Sequence, residues 1–265
     1  RRFTVEQHLH GALARDEFFM VYQPKVDLRS RRIVGAEALL RWHNPDLGNV
    51  SPAEFIPIAE QTGVIVQLGR FVLESALRDV AELCTAPFSE FKVAVNLSPR
   101  QFRDDSLVDV ITSNLRENHV AAERLELEIT EGLFIEPNLN VSETLKDLHQ
   151  MGITLAMDDF GTGYSSLNYL RLYPFDTLKI DREFIRDMTG DRGDRELVFA
   201  AISMARSLGL SVVAEGVENW EQNELLLSQG CEVAQGFLYS RPLPLDELLA
   251  LANASQEGRN MLSIS

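Results

Sequence analysis

The sequence predicts an α/β protein folded as a TIM-like (β/α)8 barrel whose first strand pair is antiparallel. Three observations carry this. Eight short β-branched and aliphatic runs recur along the 265 residues, most are separated by stretches of helical periodicity, and the first two are joined by a segment too short for a helix. Alternating strands and helices argue for a parallel sheet, and eight strands in about 240 residues is the count of a closed barrel forming one domain. A doubly wound open sheet is the alternative arrangement of the same pattern.

Taken in order, residues 1–17 read as a lead-in helix or linker. Strands at 18–23 and 32–40 flank Pro24 to Arg31, which leaves room only for a hairpin turn. A short helix at 52–61 has Ser51 as N-cap, and Gly63 separates it from a longer helix at 66–86 with apolar spacing at Phe71, Leu73, Ala76, Leu77 and Val80. Further strands fall at 91–96, 125–129, 154–158, 177–180, 211–214 and 233–237. Helices are expected at 107–117, 141–151, 165–172, 196–208 and 221–229. Gly152, Gly209 and Gly230 each follow a helix and precede a strand, where a left-handed residue closes the helix. Residues 190–194 read as a charged loop and 255–265 as a mobile tail.

Composition narrows the function. With 40 acidic against 25 basic residues the net charge is −15 and the pI about 4.8, the wrong sign for gripping a nucleic-acid polymer through its phosphates. Hydrophobic residues at 45% and charged residues at 25% exclude disordered and fibrous classes. No apolar run approaches the roughly 18 residues that span a bilayer, and the first residues lack a signal-peptide core. The chain begins with Arg1, so it is expected to be a cytoplasmic fragment of a longer protein, whose own anchoring in the inner membrane stays open. Cys84 and Cys231 fit no zinc spacing and read as buried thiols.

In parallel α/β folds the side chains at the C-terminal strand ends converge on one face, where barrel enzymes build their sites. Those positions hold Glu37, Asn96, Glu128, Asp158, Asp159, Lys179, Glu215 and Gln235. Five of these eight are carboxylates, which repel one another unless cations lie among them. Oxygen donors with almost no His or Cys suit Mg²⁺ or Mn²⁺, and two such ions about 3.5–4 Å apart form the clamp used to hydrolyse phosphodiesters. Each residue also has a plainer reading. A lone Glu37 or Glu128 could be a cap or solvated charge, and Lys179 a snorkelling lysine. Adjacent acids such as Asp158 and Asp159 at the end of an apolar strand are harder to explain without a cation. The Gly161-Thr162-Gly163 stretch lacks phosphate-loop spacing. The five histidines form no ligand pair, and no G-x-S-x-G elbow is present.

The segments Tyr22-Gln23-Pro24, Glu37-Ala38-Leu39-Leu40-Arg41-Trp42, Asn96-Leu97-Ser98-Pro99, Glu126-Leu127-Glu128-Ile129-Thr130-Glu131, Asp158-Asp159-Phe160-Gly161-Thr162-Gly163, Lys179-Ile180-Asp181, Ala214-Glu215-Gly216-Val217-Glu218 and Gln235-Gly236-Phe237 occur in this order. Together they resemble the EAL domain, the bacterial cyclic di-GMP phosphodiesterase module, from about Phe18 to Leu248, and the domain is expected to span residues 18–254. The resemblance implies the barrel with its antiparallel first pair. It also implies hydrolysis of cyclic di-GMP, a messenger controlling biofilm and motility, to linear 5′-pGpG with Mg²⁺ or Mn²⁺ and inhibition by Ca²⁺. By the same resemblance Glu37, Asn96, Glu128 and Asp158 match metal ligands, and Asp159 a ligand to the second ion. Lys179 matches a residue orienting the hydrolytic water, Glu215 a metal ligand or general base, and Gln235 a residue of the water and metal site. Gln23, Leu40, Arg41, Asp181 and Glu218, with Gly236 and Phe237, match substrate contacts, and Glu131 matches the anchor of the loop after Asp159. Degenerate members bind cyclic di-GMP without turnover, but each matched position here holds the residue type of an active member. A homodimer through the helix at 165–172 and an upstream GGDEF or sensory domain are the partners it implies.

Overall fold

A computed structural model describes residues 1–83, 90–135, 141–161 and 166–257. It opens with α1 (Arg2–Leu9), then β1 (Phe18–Asp27) and β2 (Ile33–Asn44), which pair antiparallel from Phe18 opposite Trp42 to Val26 opposite Ile33. The Asp27 carboxylate closes the turn by accepting from the Ser30 amide and hydroxyl, both at 2.7 Å. Both strands outrun the sequence expectation. β1 continues through Pro24 because Tyr22 N donates to Leu243 O on the side away from β2. Two residues on, the missing Pro24 N–H points the same way, and the β2 ladder loses nothing.

The remaining elements alternate. After β3 (Gly48–Val50), a short hairpin extension of β2, come α2 (Pro52–Thr62), α3 (Ile65–Leu83), β4 (Lys92–Leu97), α4 (Leu107–Glu117), β5 (Leu125–Thr130), α5 (Val141–Gln150), β6 (Thr154–Phe160), α6 (Ser166–Leu172) and β7 (Thr177–Ile180). There follow α7 (Arg182–Asp187), α8 (Arg192–Ser207), β8 (Ser211–Ala214), α9 (Trp220–Ser228), β9 (Val233–Ala234) and α10 (Leu245–Gln256). Strands β2 and β4 to β9 run parallel around the barrel, and β1 closes it, antiparallel to both β2 and β9. The closed eight-stranded barrel therefore holds one reversed strand, and the open-sheet alternative is excluded.

Helix endings follow the glycines. Gly63, Gly152, Gly209 and Gly230 all have positive φ, between 75° and 96°. Such a conformation would strain a residue with a Cβ. Ser51 has extended backbone ahead of α2 but makes no side-chain cap bond, and Pro52 supplies the helix-compatible φ instead. The stretch read as a charged loop is in part a helix start: Asp191 caps α8 by accepting from Asp194 N. At the C-terminus Ser255 belongs to α10 rather than to a tail, is buried, and accepts from Ile33 N. β9 is shorter than expected, because Gly236 approaches the Val217 backbone so closely that an added Cβ would lie 2.1 Å from Val217 O, and the chain turns there.

Two apolar cores result. The larger fills the space between barrel and helices, with Leu77, Val95, Leu127, Leu155 and Leu178 among its members. A smaller one joins Val5, Leu9, Phe18, Trp42 and Phe55 on the rim where β1 begins, with Trp42 edge-on to Phe55 at 5.7 Å. Cys231 is a buried free thiol; Cys84, positions 84–86 of the third expected helix, Ser165 and most of the expected tail lie outside the described residues. No helix among the described residues is long and apolar enough to cross a membrane.

Candidate active site

Period-two alternation aims Glu126 and Glu128 of β5, and Thr177 and Lys179 of β7, into the barrel. Lys179 was open to reading as a snorkelling lysine. It is instead only 1% exposed, with Nζ 2.6 Å from Glu128 Oε2, 2.6 Å from Glu215 Oε1, 3.1 Å from Asp158 Oδ1 and 3.8 Å from Glu37 Oε2. Two amides complete the ring. Asn96 Nδ2 donates to Glu37 Oε1 at 2.7 Å. Gln235 Nε2 donates to Glu37 Oε2 at 2.7 Å and to Glu215 Oε1 at 3.2 Å. Seven of the eight strand-end residues, Lys179 and the six around it, therefore form one cluster.

The eighth, Asp159, is set apart by a bulge. Along β6, Met157 lies opposite Leu178 and Phe160 opposite Ile180, so three steps on β6 match two on β7. The extra residue leaves Asp159 with φ of 55°, and a bulge re-aims side chains in this way. Asp158 turns to Lys179, while Asp159 has Asp181 as a neighbour. Burial, with Asp158 and Asp181 nearby, pushes the Asp159 carboxyl up to about 6. Glu131 Oε1 accepts from Gly161 N at 3.3 Å, tying the loop after Asp159 to the end of β5.

The cluster is short of positive charge. Burial opposes ionisation of Lys179, but Glu128, Glu215, Glu37 and Asp158 outweigh it and hold the ammonium well above its ordinary pKa. Glu128 faces two lysines, which overcome its burial and pull it down to about 2. Burial moves Glu215 and Glu37 the opposite way: Glu215 rises to about 8 and Glu37 is also raised. Among the described residues, acids do not converge on a common point at metal-ligating spacing; they converge on Lys179 Nζ. Even so, the donor set fits a hard divalent ion. It is all oxygen, its excess negative charge is uncompensated, and buried Gln235 Oε1 has no hydrogen-bond partner among the described residues.

Of the expected substrate contacts, Arg41 feels the Glu37 carboxylate of this cluster. Gln23 Nε2 donates to Ser240 O at 2.6 Å, which ties the chain after β9 to the reversed strand. Leu40 and Arg41 line an apolar groove of about 330 Å³, with Ile56, Leu68, Asn96 and Pro99, and Arg41 Nη1 donates to Leu40 O at 2.9 Å. Asp181 also caps α7 by accepting from Glu183 N at 2.7 Å. Glu218 is exposed, and Gly236 is buried against Val217. Phe237 is 52% exposed beneath the Arg241 guanidinium, 4.4 Å from its ring centroid.

Sequence reading missed Lys25. It is buried, with Nζ 2.6 Å from Glu126 Oε1 and 2.8 Å from Glu128 Oε1. The Leu-Glu-Leu-Glu-Ile alternation at 125–129 was the available signal, since it places Glu126 on the same face as Glu128.

The sequence profile of the EAL domain matches residues 6–242. The chain belongs to the EAL domain family. The bifunctional diguanylate cyclase/cyclic di-GMP phosphodiesterase MucR of Pseudomonas aeruginosa is 42% identical over 242 residues, covering 91% of this chain and 35% of that protein. The cyclic di-GMP phosphodiesterase NbdA of the same organism is 43% identical over 251 residues, 94% of this chain and 32% of that one. The solved complex of the PaMucR phosphodiesterase with c-di-GMP superposes with a TM-score of 0.88 at 40% identity, covering 92% of this EAL domain and 99% of that chain. The domain thus spans about a third of the length of the curated relatives it matches.

Proposed function

We propose that this EAL domain hydrolyses cyclic di-GMP to linear 5′-pGpG with Mg²⁺ or Mn²⁺. The observation that carries the reading is the ring of Glu37, Asn96, Glu128, Asp158, Glu215 and Gln235 around Lys179, in a family whose relatives include named cyclic di-GMP phosphodiesterases. Glu37, Asn96, Glu128 and Asp158 would hold one ion, and Asp159 a second. Bound there, the ions would supply a water of lowered pKa and polarise the phosphoryl oxygens.

The protein groups divide the remaining work. Arg41, at the mouth of the apolar groove, offers a planar charged fork to a phosphate, and the groove receives a base. Gln23, Leu40, Asp181, Glu218, Gly236 and Phe237 frame the rest of the dinucleotide. Gln235 orients the water, and Glu215 accepts its proton. The water oxygen forms the new bond to phosphorus as the bond to the 3′ oxygen breaks; the leaving oxygen takes a proton from solvent, and Glu215 returns to solvent the one it accepted. Lys179 stabilises the negative charge that develops on the phosphoryl group. Glu131 anchors the loop that follows Asp159. Ca²⁺, larger and less demanding of geometry, would occupy the same oxygens and inhibit.

Incubation of purified protein with cyclic di-GMP and Mg²⁺ or Mn²⁺, followed by chromatography, tests this. pGpG should accumulate with either ion and not with Ca²⁺; no pGpG under either metal sinks the reading. Dimerisation through the helix at 165–172, coupled to an upstream domain, extends the proposal and is checked by light scattering with and without substrate.

A further inference from the structure

Lys25 lies one inward-facing step deeper than Gln23 on β1, as Glu126 and Thr177 lie one step deeper than Glu128 and Lys179. These deeper residues are joined. Glu126 takes Lys25 on Oε1 at 2.6 Å and the Thr177 hydroxyl on Oε2 at 3.0 Å. Lys25 then spends a second donor on Glu128 Oε1 at 2.8 Å. The two oxygens of Glu128 therefore answer to different cations, Oε1 to Lys25 and Oε2 to Lys179.

The two lysines differ in what binds them. Lys179 is shared with Glu215, Asp158 and Glu37, so an ion entering among those acids competes with it directly. Lys25 is anchored from the far side by Glu126, which among the described residues bonds only Lys25 and Thr177 through its side chain, and an ion among the upper acids leaves that anchor intact. We propose that Lys25 is a positioning residue that reserves Glu128 Oε1 and presents Oε2 alone to the metal. The inference rests on the reading of Glu128 as a ligand. Stability does not explain the pair, because a buried ion pair often gains nothing over apolar residues of similar volume. Partners of metal-ligating groups, in contrast, typically set affinity by tenfold to a hundredfold.

The test is the double variant Lys25→Met with Glu126→Gln, which removes both charges and leaves no unpaired ion behind. Calorimetric titration of the metal-free protein with Mn²⁺ should show affinity weakened about tenfold or more. The electron paramagnetic resonance spectrum of the bound Mn²⁺ should change as Glu128 becomes free to chelate. A core variant on the outer layer, Leu148→Ala, lowers thermal stability without touching this ladder and should leave both readouts at wild-type values. A double variant that binds Mn²⁺ within a factor of about two of wild type, with an unchanged spectrum, overturns the inference. If the double variant does not fold, Thr177→Val removes only the hydroxyl that steadies Glu126. Weakened Mn²⁺ affinity there supports the ladder, and wild-type affinity overturns it. Wild-type protein that takes up no Mn²⁺ would instead defeat the functional reading itself.

Discussion

Lys179 Nζ stands 2.6 Å from Glu128 Oε2, and the two side chains are 1% and 0% exposed. A cation this deep, shared with Glu215 and Asp158, has no solvent to fall back on. Lys179→Met should lower kcat more than a hundredfold while KM changes by less than about threefold, because its partner charge develops in the transition state. Melting of the metal-free variant should show a loss of about 3–5 kcal/mol, the usual result of stranding buried charges. A variant with wild-type kcat would contradict this role.

Removing an acid should have the opposite effect on stability. Glu37→Ala and Asp158→Ala are each expected to abolish turnover, yet Glu37→Gln should melt no lower than wild type without metal, since it relieves repulsion among acids sharing one ammonium. Parallel loss of activity and of melting temperature in Glu37→Gln would count against a crowded, charge-poor site.

Arg41 is half-buried and its guanidinium is already oriented by the Leu40 carbonyl. Arg41→Lys keeps the charge and loses the fork, so KM for cyclic di-GMP should rise about tenfold with a smaller change in kcat. Steady-state kinetics at saturating metal separate the two parameters.

Glu131 bonds Gly161 N, two residues beyond Asp159. Glu131→Ala should leave the fold intact by circular dichroism and reduce kcat about tenfold, with weaker Mn²⁺ binding by calorimetry. Unchanged Mn²⁺ affinity would separate this loop from the site.

Acid stability should depend on Glu17. It is buried on the rim, where its carboxylate accepts from Trp42 Nε1 at 2.8 Å, Asn44 Nδ2 at 2.9 Å and Arg15 Nε at 2.5 Å. Burial raises its pKa, but the bonds from Arg15, Asn44 and Trp42 reverse that and hold it at about 2. A carboxyl depressed in the fold stabilises it fully above the unfolded value of about 4.3, and loses that contribution as pH falls through the folded one. Glu17→Gln should therefore cost about 1–3 kcal/mol at pH 7 in denaturant melts, and the gap from wild type should close as pH approaches 2. A constant gap across that range would exclude the linkage.

Much of this site was legible because barrel strands alternate and the acids end apolar runs. Glu37, Glu128 and Asp158 announced themselves in that way, and the helix-ending glycines fixed where the strands restart. What escaped has physical reasons. Lys25 follows a proline, and its inward direction depends on the reversed strand, which period alone does not show. α7 has only six residues, too few for an apolar stripe, and depends on the Asp181 cap. The separation of Asp159 from its neighbour comes from a one-residue bulge, a matter of register between strands and invisible along one of them. The extra length of β1 was hidden by Pro24, whose tolerance rests on which side its nitrogen faces.

The reversal of β1 also decides at which end of the barrel the chain comes in. Phe18 begins the strand opposite Trp42, the residue after Arg41, whereas an all-parallel barrel would start its first strand at the far floor. α1 and Glu17 are therefore neighbours of the rim, and Glu17 grips Trp42 and Asn44 directly. Any displacement of α1 has a short lever onto the strand end that carries the guanidinium, with no need to travel through the barrel wall.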